Sequence, residues 1–268
     1  MKKVIDAFMF FNELDMLDFH LHAMNDSVDY FVICEATQTH SGKDKPLFLK
    51  ENFARFEKFK DKIIHLIFTE TLNTDNAWDR ESAQRQYLLS GIEQVPNIQD
   101  SDIILISDTD EIVSPELLNK LGPIPEDKVY ALEQDMYYYN LNNRFAEKQY
   151  FTKLCNYGLA KKELLFKIRN GMRAQILRPG GWHFSYFGNF DAISTKLANF
   201  AHQDLNLPQI NNQQHIQKSI DLKIDLFGRD HKKPEKYQID YVDIKDNTNL
   251  PKHYEMLLDC ENWHLPKP

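Results

Sequence analysis

Asp108-Thr109-Asp110-Glu111 places three carboxylates within four residues, directly after the apolar run Asp102-Ile103-Ile104-Leu105-Ile106-Ser107. An Asp-x-Asp pair at the carboxyl end of a buried strand presents closely spaced oxygens at a sheet edge, where a hard divalent cation and a phosphate can meet. Short acidic pairs also arise as solvated turns or helix N-caps, because Asp is a favoured cap residue. The Ile- and Leu-rich run favours the first use, since it reads as a strand buried on both faces of an α/β sheet. Like charges this close repel unless solvent or a cation compensates them, and Mg2+ or Mn2+ suits such a site.

The elements that must position this motif are strand-then-helix units. Val4 to Phe10, Val28 to Cys34, Ile63 to Phe68 and Asp102 to Ser107 read as four strands. Leu14, Leu17, Phe19, Leu21 and Met24 supply one helical face between them, and Pro46 to Lys60 and Trp78 to Ile92 supply two more helices. Such alternation implies an α/β fold with a mostly parallel central sheet flanked by helices, and ligands bind beyond the carboxyl ends of its strands. Glu35, Asp108 and Asp110 all fall at such ends. Farther on, Ser114-Pro115 starts a helix, Val129 to Tyr139 reads as a strand, and Pro179-Gly180-Gly181 reads as a sharp turn before Trp182-His183-Phe184-Ser185-Tyr186. Asp191 to Phe200 and His215 to Phe227 look helical, and Asp230 to Asp246 looks loop-rich. With no repeat or linker, residues 1–268 read as one domain, with a donor-binding half over about 1–113 and an acceptor-side half over about 114–268.

Composition removes several classes. A formal charge of −8 argues against general affinity for nucleic acid or anionic membrane, so any phosphate site must be local. Cys34, Cys155 and Cys260 lack the spacing of a disulfide framework or a zinc site, which makes a reducing cytoplasm the expected location. No run approaches the roughly 18 to 20 apolar residues of a membrane helix, which leaves at most a peripheral membrane contact.

Five stretches in register carry a resemblance. Val4-Ile5-Asp6-Ala7 with Asn12 to Asp18, Val28 to Glu35, Pro46-Leu47, Asp108 to Ile112, and Gly181 to Ser185 are similar to glycosyltransferase family 17. The likeness runs to about residue 204 and continues weakly through Leu226-Phe227-Gly228. It implies a GT-A type nucleotide-diphospho-sugar transferase fold, a divalent cation, a UDP-sugar donor, UDP-N-acetylglucosamine by preference, and inversion at the anomeric carbon. The expected acceptor is a glycan, with a lipid-linked glycan precursor favoured because no membrane anchor is apparent.

By analogy with the motif's usual use, Asp110 is a direct metal ligand and Asp108 a ribose or metal-water contact. Glu111 either supports the pair or sits at a helix N-terminus. His183, after the double glycine, is a further metal ligand or a hydrogen-bonded core histidine, with His202 ranked behind it. Glu35 and Thr37 are expected at uridine or its ribose, and Arg80 or Arg85 at the diphosphate. Inverting displacement needs a base, for which Asp204 ranks first, with Asp191, Glu133 and Asp135 as further candidates. Trp182, Tyr186 and Tyr137 to Tyr139 are either sugar platforms or core.

Two other classes compete. A haloacid-dehalogenase-like phosphatase places Asp-x-Asp after its first strand and wants Thr or Val where Ile112 stands, whereas three strands precede the motif here. A non-catalytic glycan-binding protein on the same fold would have no reason to keep three adjacent carboxylates.

Overall fold

Residues 2–263 are described by the computed structural model. The first half contains β1 (Val4–Phe10), α1 (Leu14–Met24), β2 (Tyr30–Ala36), α2 (Phe48–Glu51), β3 (Ile63–Phe68), α3 (Ala77–Ile92), β4 (Ile103–Asp108) and β5 (Glu111–Val113). The second half contains α4 (Pro115–Lys120), β6 (Val129–Tyr138), β7 (Asn143–Phe145), β8 (Lys153–Asn156), α5 (Tyr157–Ala160) and α6 (Leu165–Asn170). After them come β9 (Ala174–Ser185), α7 (Phe190–Asn199), α8 (Gln213–Leu222), α9 (Pro234–Tyr237) and β10 (Ile239–Tyr241).

Side chains alternate across a strand, and that parity assigns the two faces of the sheet. Phe8 and Phe10 of β1 and Leu105 of β4 join the core built around Leu17, Phe19 and Leu21 of α1. Ile5, Ala7, Ile104 and Ile106 join the opposite core, with Leu88 and Ile92 of α3. Side chains at Asp6 and Ser107 therefore look toward α1, and Asp108 looks toward α3. Both helices begin beyond the carboxyl ends of strands, α3 being capped by Asn76 Oδ1, which accepts from the Trp78 amide.

Strands β3, β2, β1 and β4 are mutually parallel, as the strand-helix alternation predicts. The expectation of a mostly parallel sheet holds for this half, and outside it for the pairing of β6 with β9. Beyond β4 the order continues β8, β6, β7, β10, and each of those pairings is antiparallel. Strands β5, β7, β8 and β10 are three or four residues long, too short to register as periodic runs.

The Pro179-Gly180-Gly181 segment is a correction, because it turns nothing. It lies inside the twelve-residue β9, where the register against β6 slips between Leu132 and Gln134. Gly181 has φ +131°, and a Cβ there would lie 2.0 Å from the Ile112 carbonyl oxygen. Glycine serves close backbone approach here, which lets β9 pair with β5 and sets His183 opposite Glu111. Pro46 to Lys60 is also shorter in α-helix than expected, with α2 followed by a 3-10 helix over Phe53–Phe59. The expected His215 to Phe227 helix stops at Leu222, where Lys223 turns left-handed. No helix among the described residues is long and apolar enough to cross a membrane.

Candidate active site

The strand order reverses at β1, with β2 and β3 to one side and β4 to the other. A crevice forms where neighbouring strands send their connections to opposite faces. Here it is a cleft of about 410 Å³ above the carboxyl ends of β1 and β4. Met9, Phe10 and Phe11 form its floor beside Asp108 to Glu111, and Tyr186, Lys196 and Arg229 close the far wall.

Protein cations supply compensation of the kind the acidic motif requires. Arg85 Nη2 donates to Asp108 Oδ1 at 3.0 Å, and Arg169 Nη2 donates to Asp108 Oδ2 at 2.8 Å. Burial pushes the Asp108 carboxyl up, but the Arg169 and Arg85 guanidiniums outweigh it and hold it down to about 2. Lys196 Nζ lies 2.7 Å from Asp110 Oδ2, and His183 Nε2 lies 3.5 Å from Asp110 Oδ1. Burial again works against ionisation, and Lys196 and His183 hold the Asp110 carboxyl well below the usual range. In return, Asp110 raises both the Lys196 ammonium and the His183 imidazole against the burial that would lower them. Glu111 turns the other way, into the protein, where it takes both terminal nitrogens of Arg169 and the Thr152 hydroxyl at 2.6 Å. Of its two expected uses, support of the pair is the one found, since Glu111 begins β5.

The sequence candidates divide sharply. Asp108, Asp110, His183 and Arg85 line the cleft. Glu35 does not, because its carboxylate is fully buried and accepts from the Leu49 and Lys50 amides at the start of α2, with Lys45 and His65 beside it. Thr37 is outside as well, its amide bonded to the Phe68 carbonyl, while its neighbours Gln38, Thr39 and His40 line the wall. Arg80 is spent on the carbonyls of His40 and Thr74 and is absent from the cleft lining.

None of the proposed bases lines the cleft either. Asp204 is 73% exposed and pairs with His202 at 3.7 Å on the outer rim. Asp191 is exposed in the first turn of α7, Glu133 pairs with Arg178, and Asp135 pairs with Lys148. Trp182 donates to the Asn249 carbonyl within the core, and Tyr137 and Tyr139 are also core. His202 faces Trp78 edge-on, with ring centroids 4.5 Å apart.

Of the aromatic candidates Tyr138 and Tyr186 line the cleft, and sequence reading missed Glu13, Arg169 and Lys196, which line it too. Arg169 and Lys196 lie more than 50 residues from the motif, and only the folded chain brings them to it. Glu13 carried a usable signal, as a carboxylate at the end of β1 immediately before α1. Its Oε2 accepts from the Phe11 and Asn12 amides at 3.3 and 3.0 Å, and no cation pairs with it among the described residues. Three buried polar atoms of the cleft wall also lack a protein partner, namely Arg85 Nε, Tyr138 Oη and His183 Nδ1. Buried polar groups are ordinarily satisfied, so unsatisfied ones around a cleft point to a ligand or water.

Asp108, Asp110 and His183 are the donors that a divalent cation in the cleft would meet. Among the described residues no three His, Cys, Asp or Glu side chains stand together as a metal cage. Ions of the Mg2+ type commonly take one or two carboxylates plus substrate phosphates, so a full protein cage is not required. Asp110 with His183 fits that role by donor type, and an ion there would compete with Lys196 for Asp110 Oδ2. Asp108 fits it less well, because each of its oxygens already holds a guanidinium.

The family model for glycosyltransferase family 17 matches residues 1–260. Three mammalian proteins named beta-1,4-mannosyl-glycoprotein 4-beta-N-acetylglucosaminyltransferase are similar over 116 residues. The rat and human proteins are 29% identical and the mouse protein 28%. Those matches cover 41% of this chain and 22% of each relative.

Proposed function

Because the chain belongs to glycosyltransferase family 17, we propose that its cleft transfers N-acetylglucosamine from UDP-N-acetylglucosamine to a glycan hydroxyl. The fold is read as GT-A type, the reaction as metal-dependent, and the outcome as inversion at the anomeric carbon. The acceptor class is a glycan or a lipid-linked glycan. One observation carries the reading: Asp108 and Asp110 stand at the mouth of a cleft where the parallel strand order reverses. The donor sugar rests on the printed names of the mammalian relatives.

Bond cleavage leaves negative charge on the departing diphosphate, and stabilising that charge is the main electrostatic task of the site. A bound Mn2+ or Mg2+ on Asp110 and His183 would supply that neutralisation without a proton transfer. Lys196, Arg85 and Arg169 add fixed positive charge to the same wall and keep Asp108 and Asp110 ionised. Inverting displacement also needs a group that takes the proton of the attacking hydroxyl. That role falls to Glu13, a cleft carboxylate that forms no ion pair among the described residues. Phe151, 41% exposed and edge-on to His183 at 5.3 Å, offers an apolar face for a sugar ring.

The test is transfer itself. UDP release from a panel of UDP-sugars with and without Mn2+, followed by NMR of the product, should show preference for UDP-N-acetylglucosamine and an inverted anomeric centre. Retention of configuration, or equal turnover of every donor, would refute the corresponding part.

A further inference from the structure

Beneath the acidic motif, on the face of the sheet turned away from Arg85, lies a polar group in the apolar core that the chemistry above does not use. Asp6 of β1 and His20 of α1 are both fully buried. His20 Nε2 is 2.8 Å from Asp6 Oδ2, and His20 Nδ1 is 2.8 Å from the carbonyl oxygen of Thr109. The Ser107 hydroxyl donates to the other Asp6 oxygen at 2.6 Å, and the Thr109 hydroxyl donates to the Met9 carbonyl at 2.9 Å. The rings of Phe8 and Phe31 lie against the imidazole, with centroids 4.5 and 6.2 Å away.

Each imidazole nitrogen lies 2.8 Å from an oxygen, so the ring is fixed at both ends. Buried ionic groups contribute little net stability, and apolar side chains of similar volume often serve a core as well or better. Stability therefore gives a weak reason for Asp and His at these two positions. The position of the second hydrogen bond gives a stronger one. Thr109 is the middle residue of Asp108-Thr109-Asp110, and its carbonyl lies in the backbone link between the two aspartates.

We infer that His20, braced by Asp6, is a positioning residue that fixes the Thr109 carbonyl and so sets the spacing of the Asp108 and Asp110 carboxylates. The inference rests on the reading of this motif as the donor site. His20 touches no substrate and acts only through the turn above it. Groups that orient ligating carboxylates from behind commonly influence affinity or activity by about 10- to 100-fold.

The experiment replaces the buried pair by apolar residues, Asp6→Val with His20→Leu, and compares three readouts with the wild type. These are the thermal midpoint, the KM for UDP-N-acetylglucosamine against that for the acceptor, and amide hydrogen exchange over residues 107–111. Expected are a thermal midpoint close to wild type, a donor KM raised about tenfold with the acceptor KM unchanged, and faster exchange over 107–111. Wild-type donor KM and wild-type exchange would overturn the inference. Should the double variant not fold, Asp6→Asn keeps the volume and replaces the carboxylate acceptor by an amide. Donor binding then weakens severalfold at an unchanged thermal midpoint, and wild-type donor binding would overturn the inference instead. A wild-type protein that turns over no UDP-sugar would refute the proposed function alone, since the exchange comparison still decides whether His20 holds the turn.

Discussion

Lys196 Nζ lies 2.7 Å from Asp110 Oδ2, so the second aspartate of the motif already faces a cation supplied by α7. The pair joins the two halves of the chain at the cleft, which both residues line. It ties the charge of the motif to a helix from the second half of the chain. Lys196→Met should therefore weaken donor binding and lower kcat/KM by about 10- to 1,000-fold, as loss of a charge-stabilising donor does elsewhere. Steady-state kinetics with varied donor and fixed acceptor measure this, and an unchanged kcat/KM would remove Lys196 from the site.

Glu13→Gln separates binding from chemistry. As the base, Glu13 acts on the acceptor hydroxyl, so the variant should bind UDP-N-acetylglucosamine as the wild type does while kcat falls by about 10²- to 10⁴-fold. Titration calorimetry alongside single-turnover transfer distinguishes the two effects. Loss of donor affinity with kcat retained would reassign Glu13 to the nucleotide.

Glu111 and Arg169 form a buried pair, and losing the Glu111 carboxylate leaves the buried guanidinium with Asp108 in place of two carboxylates. Glu111→Gln is expected to destabilise the fold by roughly 3–5 kcal/mol, read from urea unfolding. A cost below 1 kcal/mol would show that water replaces the carboxylate and that the pair is not a dry one.

Acid titration reads the Asp108 environment. Its carboxyl is held at about 2 in the fold against 3.8 in an unperturbed chain. Because the folded value is the lower one, the associated stability is complete above about pH 3.8 and is lost as pH falls through about 2. Asp108→Asn should flatten the pH dependence of unfolding in that window, measured in EDTA to exclude bound metal. A variant curve parallel to the wild type between pH 2 and 4 would mean that the two arginines do not shift Asp108.

The half of the fold that carries the motif was legible because its strands are long, parallel and buried on both faces. Ile103 to Ile106 show this directly, being apolar without alternation. The other half was not, because β5 and β8 are too short for a period, and β9 hides its continuity behind Pro179-Gly180-Gly181. Site residues followed the same division. Asp108, Asp110 and His183, which local chemistry singles out, line the cleft, while Arg169 and Lys196 are ordinary cations on ordinary helices until the sheet brings them to the motif. Glu35 illustrates the converse error, since a carboxylate at a strand end can equally cap the helix that follows nearby.

The most direct measurement is a thermal-shift titration of wild type and Asp110→Ala with UDP-N-acetylglucosamine, with and without Mn2+. A ligand that binds only the folded state raises its apparent stability. A Mn2+-dependent rise in the wild type that vanishes in Asp110→Ala is the expected result. The same rise in both proteins, or none in the wild type with any UDP-sugar, would contradict a donor site built on Asp110.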